Sequence, residues 1–202
     1  LLSVGAFCEW SKICRVPFSV GFVLLITFVL ACKIKSYEAL SIMLLALIVV
    51  TKYYGVLFSL SSLYIYGGLY SFLLAFEHSP SALLLLLSFI WLGDISAYFI
   101  GRLLKGPKLA PTISPGKTWS GFIGGITIPV FFFSGLGLFF LPSFSLFFPL
   151  ILTVLSFSAH VGDLLESKMK RHFGIKDSGS CFPGHGGLLD RLDSVFLVGW
   201  VI

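Results

Sequence analysis

Polar and apolar positions do not alternate along this chain; long apolar runs follow one another, separated by short polar segments. Six runs stand out: Phe18 to Ala31, Tyr37 to Val50, Tyr53 to Phe76, Leu83 to Leu104, Gly121 to Leu141 and Leu146 to Leu165, with a seventh beginning near Asp190. The first two are short, and the others approach the roughly 20 residues a helix needs to cross a bilayer. Lipid offers no partner to a backbone N–H or C=O, so runs apolar on every side predict helices rather than strands. The expected fold class is therefore an all-α polytopic integral membrane protein with about six to seven transmembrane helices.

Composition sharpens this. Of the 202 residues, 57% are hydrophobic, 22 are Phe and only 11% are charged, too few charges to build a water-facing surface. The net charge of +5 comes from Lys and Arg clustered between the apolar runs. Such clusters suit anionic lipids and phosphates, yet beside a membrane they are more often topology signals than binding sites. Arg102, Lys105, Lys108 and Lys117 precede the fifth run, and Lys168, Lys170, Arg171, Lys176 and Arg191 follow the sixth. Two crossings separate these loops, which places them on one side, the cytoplasmic one by their positive charge, with the Pro142-Ser143 turn outside. Lys33 and Lys35 fit this count poorly, which leaves the amino-terminal topology open.

Gly121, Gly124, Gly125 and Pro129 inside the fifth run point to close helix packing or a kink. Cys8, Cys14, Cys32 and Cys181 form no C-x-x-C pair and suggest neither zinc nor a disulfide framework. There is no internal repeat or linker, so residues 1–202 are expected to form a single membrane domain, with amino-terminal helices over 1–82 and a catalytic membrane region over 83–202. The chain opens on Leu1-Leu2 without Met and stops at Ile202 inside an apolar run, so truncation at both ends is expected.

Acidic residues in apolar surroundings are the first sign of chemistry. Asp94 lies inside the fourth run, while Asp163 and Glu166 close the sixth. An ionisable group at membrane depth is costly without a partner, a cavity or a cation, and so is a functional candidate. Beyond Asp163 comes a dense polar segment ending in Asp190-Arg191-Leu192-Asp193. On a helix Asp190 and Asp193 share one face about a turn apart, and two oxygen ligands on one face suit Mg²⁺, which Asp163 could complete from the neighbouring helix. Glycines around His185 allow backbone to approach a nucleotide or phosphate. Taken singly these features are weak: two aspartates at a helix start also favour its dipole, and a His between glycines is commonly a turn residue.

Order and spacing are more specific. Ser167 to Asp193 reads S-x-M-K-R, four residues, then K-D-x-G-x-x-F-P-x-H-G-G-L-x-D-R-L-D. This segment resembles the signature of the phosphatidate cytidylyltransferases, also called CDP-diglyceride synthetases, apart from Ser180-Cys181 in place of the His-Leu or similar pair expected before Phe-Pro. A second block is similar to that family's cytoplasmic loop: Gly93-Asp94, Ala97-Tyr98, Gly101-Arg102, Lys108 to Pro111 and Ser114 to Phe122. Together they cover about Trp91 onward. Gly116-Lys117-Thr118 also invites a phosphate-loop reading, but the first glycine of that motif would fall on Pro111, so it fails.

The resemblance implies attack by a phosphatidate phosphate oxygen on the α-phosphorus of CTP, giving CDP-diacylglycerol and pyrophosphate in phospholipid biosynthesis. It implies Asp163, Asp190 and Asp193 as ligands of Mg²⁺, with a second metal ion allowed, and Lys176 beside them as a catalytic group. Lys117, Ser167, Lys170, Arg171, Asp177, His185, Gly186, Gly187 and Arg191 become candidate contacts to the triphosphate, the nucleotide or the lipid headgroup. Expected partners are CTP, phosphatidate and membrane lipids, with no nucleic acid and a homodimer left open. The expected location is the inner or plasma membrane of a bacterium, active site toward the cytoplasm. A transporter binding a coupling ion at Asp94 and Asp163 would explain the acids but not the signature, and a CTP-using lipid or polyprenol kinase is a third alternative.

Overall fold

The structure, a computed structural model, describes residues 2–34, 37–140, 145, 147–179 and 187–202. Among the described residues the elements run α1 (Leu2–Ile13), α2 (Phe18–Ile34), α3 (Tyr37–Tyr54), α4 (Val56–His78), α5 (Pro80–Leu104), β1 (Lys108–Ala110), β2 (Ser114–Thr118), α6 (Trp119–Phe140), α7 (Phe147–His172) and α8 (Leu189–Val201). Each of the six apolar runs forms a helix whose ends fall within a few residues of those expected, except that α7 continues seven residues past Leu165, to His172. Four of these, α4 to α7, are long and apolar enough to cross a membrane, and α2 and α3 carry shorter apolar segments, Phe18–Leu30 and Ser41–Tyr54. The protein is thus a polytopic helical membrane protein. Its apolar exterior agrees: Phe131 and Phe139 are 86% exposed, which only lipid tolerates on this scale.

Local chemistry sets the breaks. Between α4 and α5, Ser79 accepts a hydrogen bond from the Ala82 N–H at 3.4 Å and Pro80 takes the first helical position, where its missing N–H costs nothing. Helix α5 stops at Lys105 and Gly106, both with positive φ (53° and 107°). The all-α expectation is corrected at the next segment, where β1 and β2 pair antiparallel, Lys108 opposite Thr118 and Ala110 opposite Ser114. Pro107, Pro111 and Pro115 forbid helix here, and the free backbone groups pair across the turn instead. Gly116-Lys117-Thr118 therefore lies on a strand, with a short strand before it, rather than wrapping a phosphate. Thr118 then caps α6, its Oγ1 accepting from the Gly121 N–H at 3.1 Å.

The glycines of α6 do what their position suggested. A Cβ on Gly121 would stand 2.6 Å from the Ala97 carbonyl oxygen and 3.3 Å from the Gly101 Cα, so α5 and α6 touch through backbone. The buried apolar residues form two clusters. Trp10, Phe28, Phe58, Ile65 and Tyr66 join α1, α2 and α4 in one; Phe89, Ile90, Leu152 and Leu155 join α5 and α7 in the other. Helix α8 belongs to both, giving Leu189 and Phe196 to the first and Val195 and Val198 to the second. It has only 13 residues and is held by burial between these clusters rather than by length. The two basic loops meet as their topology required: Arg171 Nε donates to the Ile113 carbonyl at 3.2 Å. The Pro142-Ser143 turn and Lys35 lie outside the described residues.

Candidate active site

Helices α5, α6 and α7 and the β-hairpin enclose a cleft of about 830 Å³. Arg102, Lys105, Lys108 and Lys117 line it together with Asp94, His160 and Asp163. The cations come from the end of α5 and from the hairpin, the acids from the apolar bodies of α5 and α7. Lys117 on β2 reaches Asp163 Oδ2 at 2.5 Å, both groups about one-quarter exposed, and Ser167, one turn further along α7, donates to Asp163 Oδ1 at 3.3 Å. The ammonium and the carboxylate thus face each other at charge-assisted hydrogen-bond distance on the wall of the cleft. Arg102 donates to the Tyr98 hydroxyl at 2.8 Å on the outer wall.

Behind the cleft, α7 and α8 carry a second polar network. Lys170 is 8% exposed; its Nζ lies 2.6 Å from Asp190 Oδ1 and 3.5 Å from Glu166 Oε2. Glu166 is 1% exposed, and neither of its oxygens has a hydrogen bond among the described residues. Asp190 also accepts from the Ser178 N–H at 2.9 Å and the Gly187 N–H at 2.8 Å. Burial alone would raise the Asp190 carboxyl, but Lys170 and these two N–H groups outweigh it and hold it below the ordinary carboxylate range. Asp193 is pushed the other way, first by burial and then by the Asp163 charge. Its Oδ1 accepts from the Ser194 N–H at 2.7 Å and the Ser194 hydroxyl at 3.2 Å, and the same hydroxyl lies 3.5 Å from Asp94 Oδ2. One serine thus links α8 to the acid of the cleft.

The sequence candidates divide accordingly. Lys117, Asp163 and Ser167 meet at the cleft, and Lys170, Asp190 and Gly187 meet in the network behind it. Arg171 is exposed and fastens the hairpin, donating to the carbonyls of Ile113 and Ile175. Lys176, Asp177 and Arg191 are exposed around this end. His185 and Gly186 lie outside the described residues. Among the described residues no three His, Cys, Asp or Glu side chains are grouped to hold a metal ion. Asp163 and Asp190 instead each carry a lysine ammonium, and Asp193 two donors from Ser194.

Two residues escaped the sequence reading, His160 in the cleft wall and Glu9. Glu9 of α1 sends its carboxylate to the start of α8, accepting from the Leu188 N–H at 2.9 Å, the Leu189 N–H at 2.9 Å and the Ser178 hydroxyl at 3.1 Å. A single acid in the apolar segment before Trp10 was the available signal, the same anomaly that marked Asp94 and Glu166. Gly187 is what lets the three segments converge: a Cβ there would run into the Ser178 hydroxyl and stand 2.5 Å from Glu9 Oε2.

A bundle of membrane helices with a cation-lined cleft backed by paired carboxylates offers a surface suited to anionic, phosphate-bearing groups. The sequence gives the family directly. The chain belongs to the cytidylyltransferase family, whose sequence model matches residues 3–202. It is similar to the phosphatidate cytidylyltransferase of Staphylococcus saprophyticus, 40% identical over 174 residues, which cover 82% of this chain and 66% of that protein. The phosphatidate cytidylyltransferase of Staphylococcus haemolyticus matches at 40% over 178 residues with the same coverage, and that of Brucella abortus biovar 1 at 48% over 118 residues, 57% of this chain and 43% of the relative. The chain thus spans just under two-thirds of the staphylococcal proteins and less than half of the Brucella one.

Proposed function

We propose that this protein transfers CMP from CTP to phosphatidate, giving CDP-diacylglycerol and pyrophosphate. The observation that carries the reading is the junction of the two signature blocks: Lys117 of the first meets Asp163, beside the second, in a cleft of about 830 Å³ lined by four cations. Both staphylococcal relatives carry the name of this activity. A phosphatidate phosphate oxygen attacks the α-phosphorus of CTP, a bond forms to that phosphorus, the bond to the bridging oxygen breaks, and pyrophosphate leaves. Such a transfer needs chiefly positioning and charge neutralisation. Arg102, Lys105, Lys108 and Lys117 are placed to neutralise phosphate charge, and the nearby lipid-facing surface lets the acyl chains stay in the bilayer while the headgroup meets CTP.

Asp163, Asp190 and Asp193 are the proposed holders of Mg²⁺. Their hard oxygen donors suit that ion, which would have to take the place that lysine ammonium groups hold on two of the three. When bound, the ion would share the neutralisation of the triphosphate with these lysines. The cleft end is proposed to face the cytoplasm across a bacterial inner or plasma membrane, in keeping with the basic loops that meet there.

The test is formation of labelled CDP-diacylglycerol from CTP by the protein in detergent–phosphatidate micelles with Mg²⁺. Wild type should release pyrophosphate in step with lipid product. Asp163→Asn should lose about 100-fold or more in rate at an unchanged thermal midpoint. A folded wild-type protein that makes no product refutes the reading.

A further inference from the structure

The contact made by Glu9 joins the first helix of the chain to residues 178, 188 and 189, all within the signature segment, across as many as 180 positions. Its two oxygens divide the work: Oε1 takes the Leu188 N–H, and Oε2 takes the Leu189 N–H and the Ser178 hydroxyl. Asp190 takes the Gly187 N–H and the Ser178 N–H just beside them. The amides that open a helix have no partner within it and carry its positive end. Here two carboxylates cover three consecutive ones, 187 to 189, and only one of those carboxylates belongs to α8.

Helix α8 needs such an external anchor. Its Leu188 cap position supplies no side-chain hydrogen bond, and it carries Asp190 and Asp193 in its first two turns. A rotation of the first turn would move both acids. Glu9 is itself firmly based: Trp10 beside it is 1% exposed and packs edge-on against Phe173 at 5.7 Å, just after α7. A carboxylate of this reach can hold two adjacent amides at once only if α1 and α8 keep this spacing.

We propose that Glu9 is a positioning residue for the transfer site: bridging α1 to the first turn of α8 and to Ser178, it fixes the orientation in which Asp190 and Asp193 face their ligands. The proposal rests on the reaction proposed above for its kinetic consequences, though not for the contact itself. Glu9→Gln keeps the size and one acceptor oxygen but places an NH₂ against a donor, so it breaks half of the bridge without opening a cavity. Glu9→Ala removes it entirely.

Two measurements on the protein in detergent test this. In hydrogen exchange, Leu188 and Leu189 should exchange about tenfold faster or more in Glu9→Gln, with peptides from α5 and α6 unchanged. In the CDP-diacylglycerol assay, the half-saturating Mg²⁺ concentration and the KM for CTP should rise several-fold, which a smaller folded fraction alone would not produce. Glu9→Ala should exceed Glu9→Gln in both. Wild-type exchange at 188 and 189 in Glu9→Gln, or unchanged Mg²⁺ and CTP dependence with exchange accelerated, overturns the proposal. If wild type makes no product, the assigned reaction falls, and Glu9 is judged by exchange alone: protection lost supports the bridge, and protection kept removes it.

Discussion

Replacing Lys170 with Met separates two roles for that side chain, a contact to substrate phosphate or the internal counter-charge of α7 and α8. The lysine is 8% exposed and stands between Asp190, at 2.6 Å, and Glu166, at 3.5 Å. Met fills nearly the same volume, so the perturbation is one of charge. Asp190 would keep its two backbone N–H donors, whereas Glu166, 1% exposed and without a hydrogen bond among the described residues, would lose its nearest cation. Taking the cation from a buried carboxyl costs up to about 3–5 kcal/mol, and less to the extent that the carboxyl takes up a proton. Because the loss falls mainly on Glu166, neutralising it should recover most of it. Thermal unfolding followed by tryptophan fluorescence should therefore show a marked loss in Lys170→Met, at least half restored in Lys170→Met/Glu166→Gln, and little change in Glu166→Gln alone. A Lys170→Met protein with the wild-type midpoint and only a raised KM for CTP would refute the reasoning and return Lys170 to the substrate.

Two further expectations follow from geometry. Gly121→Val must push the Ala97 carbonyl away from a Cβ 2.6 Å distant and should destabilise the protein by about 1–3 kcal/mol, while Gly135→Val, with nothing within 4 Å, should leave the thermal midpoint unchanged. The Asp190 carboxyl, held below its ordinary range in the folded protein, favours the folded state because its unfolded counterpart binds protons more readily. Its contribution is thus fully present above the unfolded value of about 3.9 and fades as pH falls through the lower folded one. The stability gap between wild type and Asp190→Asn should be constant from pH 5 to 8, which are about the ordinary working limits, and should narrow in more acid solution; a gap that widens there contradicts the assignment.

How much was legible varied with the range of the interaction. The helices of the apolar runs, the close glycine face of α6 and the meeting of the two basic loops follow from length, side-chain size and parity of crossings, all of which are local properties. The β-hairpin was missed because its strands are three and five residues long, too short for any periodicity to show, and arise only once prolines have closed the helical alternative.

The sequence by itself determined that this chain lives in a bilayer, that its acids and bases gather at one end, and which signature they form. What only the tertiary structure decided is how those charges pair. Lys170 and Lys117 are equally basic in a string of letters, yet one is enclosed between Glu166 and Asp190 and the other opens on a cleft. Glu9 acts at α8 from the far end of the chain. Hydrophobic length is written residue by residue, whereas the cost of a charge depends on what folding brings within a few ångströms of it.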